Sequence, residues 1–327
     1  MPDKDKPVEE QGLLVVAAPP HLFHRVKTSR IMLDVLIALL PATLAGLNLF
    51  GPRVLAVIVA SLLAAVAAEA ATQKLLGRPV RVLDFSAAVT GLLVALNLPP
   101  TAPLWLAVVG SAFAVVVVKQ LFGGLGNNFL NPALAARAFL MAAWPAQMTT
   151  WSAPGDWAVQ AMTGATPLAI LQRPELLRRL PSYAELFWGW IPGTIGETCV
   201  AALLLGALYL LWRRVIDWRI PVTYVGTVAL LTWVLGPRGL FTGDPVAHVL
   251  AGGLVLGAFF MATDYVSSPV TPLGRVWFGV GCGLLTAMIR LYGGYPEGVS
   301  FSILIMNIVA PLIDRYTVPT RFGGRRA

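Results

Sequence analysis

Long runs of apolar residues dominate the sequence, in place of the alternation expected of half-buried strands. Ten such segments stand out, at 31–50, 54–73, 85–98, 104–121, 131–144, 195–212, 219–236, 246–262, 274–291 and 299–313. A helix crossing the hydrocarbon core of a bilayer needs about 20 residues. The segments of 14 or 15 residues are short for that task, which predicts tilted or broken helices sheltered by their neighbours. Small residues, dense in Ala60–Ala71 and Gly252–Gly257, let helices approach closely. The predicted fold class is an all-α integral membrane protein with ten transmembrane helices.

The polar stretches divide the chain. Residues 1–30 form an N-terminal segment with no cleavable signal pattern, and 314–327 form a short tail. Between them lie five spans at 31–144, a long polar loop at 145–194, and five more spans at 195–313. The halves resemble each other weakly. Phe122-Gly123-Gly124 is similar to Tyr292-Gly293-Gly294 at an offset of 170, and Thr101-Ala102-Pro103-Leu104 to Thr271-Pro272-Leu273. Gly91-Leu92-Leu93 is similar to Gly253-Leu254-Val255 at an offset of 162. Five is odd, so two five-span repeats must be inverted, an architecture that puts binding sites at the repeat interface. Chance likeness among Gly-rich apolar segments is the competing explanation.

Composition agrees. Residues are 57% hydrophobic and only 12% charged, against about 25% charged in soluble domains. Mean hydropathy is +0.74. This excludes disorder, a nucleic-acid-binding domain and a disulfide scaffold. Two cysteines and three scattered histidines supply no zinc or iron–sulfur set. The net charge of +8 matters for its distribution. With a cytoplasmic N-terminus, 17 of the 24 Lys and Arg fall on cytoplasmic segments and 6 on external ones, Arg290 among the latter. That asymmetry predicts a multi-pass cytoplasmic-membrane protein with both termini cytoplasmic. The 145–194 loop is then external, and Trp151, Trp157, Trp188 and Trp190 suit an interface.

Charged residues inside spans are costly and mark either function or interhelical ion pairs. They are Asp34, Glu69, Arg137 and Glu197, with Lys119 and Asp264 near span ends. Asp34, Glu69 and Glu197 are candidates for ion coupling. Asn131 and Pro132 read as the N-cap and first residue of the fifth span, beside Asn128, and Asp264 as a second cap. In the external loop, Thr166 and Pro167 read as the cap and start of a helix over Leu168–Leu180. Such an N-terminus suits a phosphate, and Gly164 and Ala165 leave room for a bulky group. An ordinary cap satisfies the same local pattern.

Thr163-Gly164-Ala165-Thr166 matches the Ser/Thr-Gly-Ala-Thr motif that joins FMN to threonine through its phosphate. The flanking chain resembles the RnfD family, the membrane D subunits of the Rnf ferredoxin:NAD oxidoreductase complex. NqrB, of the sodium-pumping NADH:quinone oxidoreductase, is a close relative of that family. The resemblance runs from Thr28-Ser29-Arg30-Ile31-Met32-Leu33-Asp34 through Asn131-Pro132-Ala133 and Arg137-Ala138-Phe139. It continues through Pro145-Ala146-Gln147-Met148, Ile195-Gly196-Glu197-Thr198 and Ala262-Thr263-Asp264. Gly293-Gly294-Tyr295-Pro296-Glu297-Gly298 and Pro311-Leu312-Ile313-Asp314 complete it. The length of the chain favours the RnfD branch.

The resemblance implies a covalent FMN phosphoester on Thr166, made outside the membrane by a flavin transferase. Gln160 stands where such motifs often carry an acidic residue. The resemblance also implies a second, non-covalent flavin, a riboflavin or the like, sought near Asn128, Asn131, Arg137 and Asp264. Arg137 would stabilise a reduced anionic flavin, or pair with Glu69 or Glu197. The implied partners are the external FMN protein RnfG, the membrane proteins RnfA and RnfE, and RnfB and RnfC with the iron–sulfur and NAD sites. The chain itself has no Cys cluster and no Gly-x-Gly-x-x-Gly turn.

Two functions follow from these features. One is electron transfer through covalent FMN coupled to export of sodium or protons, in the Rnf complex or its quinone-reductase counterpart. The other is an inverted-repeat transporter or channel without redox chemistry. The topology is directly testable. In a background lacking Cys199 and Cys282, an Ala153→Cys variant should react with a membrane-impermeant thiol reagent from outside; labelling only from the cytoplasmic side overturns the orientation.

Overall fold

The computed structural model describes residues 27–155, 165–236, 239–294 and 297–319. All ten apolar segments contain helix. Four helices are long and apolar enough to cross a membrane among the described residues: α1 (Thr28–Phe50), α2 (Arg53–Leu75), α13 (Pro272–Tyr292) and α14 (Val299–Thr317). The others are shorter. These are α3 (Ser86–Leu96), α4 (Leu104–Phe113), α5 (Pro132–Ala143), α9 (Val200–Trp212) and α10 (Arg219–Val234). α4 continues through Ala114–Gln120 with wider, π-type turns, a feature common near functional sites.

The eighth segment is broken. α11 (Pro245–Leu250) stops before Gly252, whose φ of +70° favours glycine. α12 (Leu254–Leu256) then runs into a π-type turn at Gly257–Met261. The sixth segment also departs from expectation. Its helix begins only at Val200, leaving 195–199 irregular. The reason is local: the Ile195 and Gly196 amides donate to Leu98 O (3.0 Å) and Leu96 O (2.9 Å) at the end of α3. α3 has 11 residues, about 16 Å of rise, or half the ~30 Å hydrocarbon core. The broken segment thus occupies the membrane depth that α3 leaves unfilled.

The two halves pack alike. α2 packs on α4 in the first half, and α10 on α13 in the second. Across the interface α1 meets α9 and α5 meets α14, the helices of the first and last apolar segments of each half. Small residues set these crossings. A Cβ on Gly206 of α9 would collide with the Ala38 carbonyl of α1, and one on Gly91 would lie 2.9 Å from Ser61 O. The α2–α4 contact carries a Ser61–Ser111 hydroxyl bond of 2.6 Å, and the α10–α13 contact a Tyr224–Thr286 bond of 2.7 Å. Large apolar side chains such as Leu40, Leu44, Leu63, Leu205, Leu208 and Ile308 remain exposed on outer faces. Such faces suit lipid.

The 165–194 part of the polar loop contains α7 (Pro167–Leu171) and α8 (Tyr183–Trp188). The helix expected over Leu168–Leu180 ends at Leu171. Arg173 is extended (φ −113°, ψ 104°) because Pro174 follows it. A tight turn then covers Pro174–Arg179. Leu168, Leu171, Leu186 and Ile191 pack with Ala247 and Ala251, so this stretch sits on the break in the eighth segment.

The Gly206 contact is open to test. Gly206→Ala should destabilise the folded protein by about 1–3 kcal/mol through overpacking, read as a lower Tm in detergent. Gly226→Ala, at a helical position with open space around it, should leave Tm unchanged or raise it.

Candidate functional site

Thr166 caps α7 as the sequence predicts. Its Oγ1 accepts from the Ala169 amide at 3.3 Å, and Pro167 is the first helical residue. The residue is half-buried at the wall of a cavity of about 780 Å³, open mouth included. Arg137, Met141, Trp151, Glu197, Thr198, Gly252 and Glu297 line the same cavity. Ala165 is exposed beside it. Thr163, Gly164 and Gln160 lie outside the described residues.

Arg137, on α5, is the polar centre of this cavity. Its Nη2 bonds Glu297, and its Nη1 donates to Asn97 Oδ1 at 2.7 Å. Glu197 Oε2 lies 3.8 Å from Nη1, an ion pair rather than a hydrogen bond. Glu197, expected one turn inside a helix, lies instead in the irregular segment before α9. Its Oε1 accepts from the Thr194 amide at 3.1 Å. Gly193 and Gly253 flank the carboxylate, and a Cβ on either would approach within 3.3 Å of its oxygens.

A second cavity, of about 760 Å³ with its open mouth included, lies further along the helices. Asn128, Asn131, Asp264, Ser86, Lys119 and Phe260 are among its lining residues. Asn131 caps α5, accepting from the Ala133 and Leu134 amides at 3.0 and 3.3 Å, and donates to Met261 O at 3.1 Å. Asp264 is not the helix cap expected from the sequence: it accepts from the Ser267 hydroxyl at 2.9 Å and holds a turn. The cap of the next helix, α13, is Thr271, which accepts from the Gly274 amide at 3.0 Å. Burial pushes the Asp264 carboxyl above its ordinary pKa, against the pull of Ser267 and Asn128.

The four residues grouped from sequence as one flavin neighbourhood therefore separate. Asn128, Asn131 and Asp264 share one cavity, while Arg137 belongs with Thr166 in the other. Asn131 and Arg137 stand six positions apart along α5, about 9 Å of helix rise. Asn97 sits between the cavities, donating to Leu93 O at 2.6 Å and touching Met261 Sδ at 3.8 Å.

The other charged residues are paired. Lys119 donates to Glu69 Oε1 (2.7 Å) and Ser86 Oγ (2.6 Å), and Gln120 adds a 2.7 Å bond to Glu69. Arg137 is thus partnered by Glu197 and Glu297, and Glu69 by Lys119. Asp34 of α1 accepts from Tyr209 (2.9 Å) and Arg213 (3.1 Å), joining α1 to α9.

Asn97, Glu297 and Arg290 belong to these buried polar networks, though the sequence pattern does not single them out. Charge counting puts Arg290 with the external loops, yet it is the last turn of α13 and 1% exposed. It donates to the carbonyls of His248 and, at 3.2 Å, Ala251. Those carbonyls end α11, where no further turn can supply their donors. A positive charge also suits the helix C-terminus. Gln172 bonds Arg290 O (2.9 Å) and Gly293 O (3.2 Å), tying the α7 region to the same point. The one available sequence signal is helical spacing, which continues α13 through Arg290.

Two mostly apolar cavities, each carrying a few polar side chains, lie among broken and shortened helices, an arrangement suited to a membrane protein that holds small molecules in its interior. The chain belongs to the NQR2, RnfD, RnfE family, whose model matches residues 15–323. It is 50% identical over 312 residues to the D subunit of the Na(+)-translocating ferredoxin:NAD(+) oxidoreductase complex of Acetobacterium woodii, covering 95% of each chain. It is 46% identical to the D subunit of the proton-translocating ferredoxin:NAD(+) oxidoreductase complex of Clostridium ljungdahlii, over 97% of this chain and 98% of that one. The D subunit of the ion-translocating oxidoreductase complex of Stutzerimonas stutzeri is 42% identical, over 91% and 93% of the two chains.

Removing the Arg290 guanidinium should strand the α11 carbonyls. Arg290→Met is expected to lose about 1.5–3 kcal/mol per charged hydrogen bond, measured by denaturant unfolding in detergent. Arg290→Lys should not restore the loss, because one ammonium does not reproduce the guanidinium fork.

Proposed function

We propose that this chain is the flavin-bearing membrane component, RnfD, of an ion-translocating ferredoxin:NAD oxidoreductase complex. The observation that carries the reading is the placement of the Thr166 hydroxyl on the wall of the cavity that holds Arg137 and Glu197. The near end-to-end relationship to D subunits of complexes so named supports it.

The residues present fit an FMN joined to Thr166. The cavity beside Thr166 is concave, as cofactor sites are. Its wall is mostly apolar, with Pro167, Leu168, Met141, Ile191 and Phe301 to cover a flat ring. Thr166 Oγ1 would form the phosphoester bond at the cavity wall. Arg137 is held in place by Asn97 and Glu297, so its guanidinium needs little reorganisation to donate to a flavin edge. A bound flavin supplies the electron-carrying chemistry; the protein orients it and sets its surroundings.

The second cavity suits a non-covalent flavin. Asn128, Asn131 and Asp264 offer both donors and acceptors for a polar ring edge, and Phe259, Phe260 and Leu125 offer apolar cover. Ferredoxin and NAD would react on partner proteins of the complex, among external RnfG, membrane-embedded RnfA and RnfE, and RnfB and RnfC. The names of the two relatives above differ in the ion they move, sodium in one and protons in the other. Asp34 and Glu69, held in ion pairs, fit structural roles better than ion carriage.

Both flavin assignments are read from one preparation. The chain is made together with a flavin transferase and denatured. The wild-type band should fluoresce in the gel, the Thr166→Ala band should be dark, and flavin should also appear in the supernatant. Asp264→Ala should keep the fluorescent band and lose most of the extractable flavin. A dark wild-type band, with a transferase active on another acceptor, overturns covalent attachment. Undiminished extractable flavin in Asp264→Ala overturns the second site.

A further inference from the structure

The turn from α9 into α10 carries a residue that its backbone disfavours. Arg214 has a φ of +55°, in the left-handed region. It ends α9, where the Val215 amide donates to Leu210 O (2.9 Å) and the Arg214 amide to Leu211 O (3.0 Å). Those two bonds close a helix end of the Schellman type, in which glycine is the usual left-handed residue. An arginine there forfeits backbone stability, and strain of this kind persists where a side chain is needed for function. Among the described residues the Arg214 guanidinium has no ion pair, whereas Arg213, Arg219 and Arg275 each have one.

Arg214 lines an open groove with Asp217, Trp218, Tyr265, Ser268 and Arg275. One wall is the α9–α10 turn, and the other is the stretch leading into α13. The Tyr265 hydroxyl donates to Val215 O and ties the walls together. Asp217 is the one acid among the lining residues. Its carboxylate is shared between Arg219 (2.9 Å) and Arg275 (2.6 Å). The groove therefore keeps two positive charges in excess, one from the shared pairing and one from Arg214. α10 and α13 also begin here, at Arg219 and Pro272, and the positive ends of both helix dipoles add to that charge. Such a surface attracts an anion.

The rim of the groove indicates the source of the anion. Trp212, Trp218 and Trp277 are 77%, 58% and 57% exposed. They stand at the end of α9, just before α10 and in the second turn of α13. Tryptophan at helix ends marks the level of lipid headgroups. This is also the end of the bundle that the charge asymmetry predicts to be cytoplasmic, where anionic lipids attract basic segments. Val222 and Leu273, exposed in the first turns of α10 and α13, offer apolar surface to acyl chains. Arg275 spends Nη1 on Asp217 and Nε on Pro269 O, which leaves Nη2 for a ligand. We propose that this groove binds the phosphate of an anionic phospholipid, with the guanidinium groups of Arg214 and Arg275 and the Ser268 hydroxyl as donors. The site is independent of flavin attachment.

The test uses the full-length chain in detergent micelles, with dioleoyl phosphatidylglycerol or dioleoyl phosphatidylcholine added at equal mole fraction. The wild-type Tm should rise with phosphatidylglycerol and saturate, and rise less with phosphatidylcholine. Arg214→Gly should need about tenfold more phosphatidylglycerol for the same rise, through loss of a charge-assisted hydrogen bond. Without lipid, the same variant should melt no lower than wild type, because glycine suits the left-handed position. Lys74→Gln, which removes an exposed charge in the last turn of α2, should respond as wild type does. An unaltered response in Arg214→Gly, or an equal wild-type response to phosphatidylcholine, overturns the site. A matching rise with inorganic phosphate alone makes it a site for soluble anions and overturns the lipid. An equal loss in Lys74→Gln reduces the effect to general surface charge and overturns it as well. A lipid-free Tm below wild type in Arg214→Gly shows that the arginine serves folding, and that too overturns the proposal.

Discussion

A helix broken inside a bilayer exposes amides and carbonyls where no water can receive them. Much of this structure answers that constraint. The carbonyls that end α3 take the amides of the irregular segment before α9. Those that end α11 take the guanidinium of Arg290. Each break is thereby closed by a group from the other side of a helix contact, and the chain gains irregular backbone at membrane depth. The breaks leave space near the ends of α3 and α11.

The cavities occupy the space so created. One lies where the Thr166 loop region sits over the break at Gly252, the other where the last turns of the eighth segment meet the cap of α5. Between them stands a polar partition rather than an apolar plug. Arg137, Asn97 and the Met261 sulfur come from three different elements, and Asn97 touches both of the others. Linkage between events in two sites needs such shared residues.

Much of this is legible in the sequence because it depends on local pattern. The ten spans follow from apolar runs. Asn131 and Thr166 declare themselves as caps because each is followed by proline, and that chemistry is settled within four residues. The partners of buried charges are not legible. Arg137 meets Asn97 and Glu297 across 40 and 160 residues, and no periodicity relates such positions. Glu197 reads as helical because its neighbours are apolar; the amides beside it are taken by α3 instead. Arg290 reads as external because charge counting treats a span end as a loop, and the carbonyls it serves belong to a break that hydropathy does not show. Thr163 and Gly164 lie outside the described residues, so of the Thr-Gly-Ala-Thr stretch the structure describes Ala165 and Thr166.

One helix, α5, reaches both cavities, with Asn131 capping its first turn and Arg137 further along. If the two halves of the molecule rock against each other, the walls contributed by α9, α14 and the Gly257–Met261 turn move relative to α5. The interval between those two side chains does not, because it is set by the pitch of a single rod. The protein thus carries an internal ruler. The cavity walls are free to shift while the spacing between these two side chains stays constant.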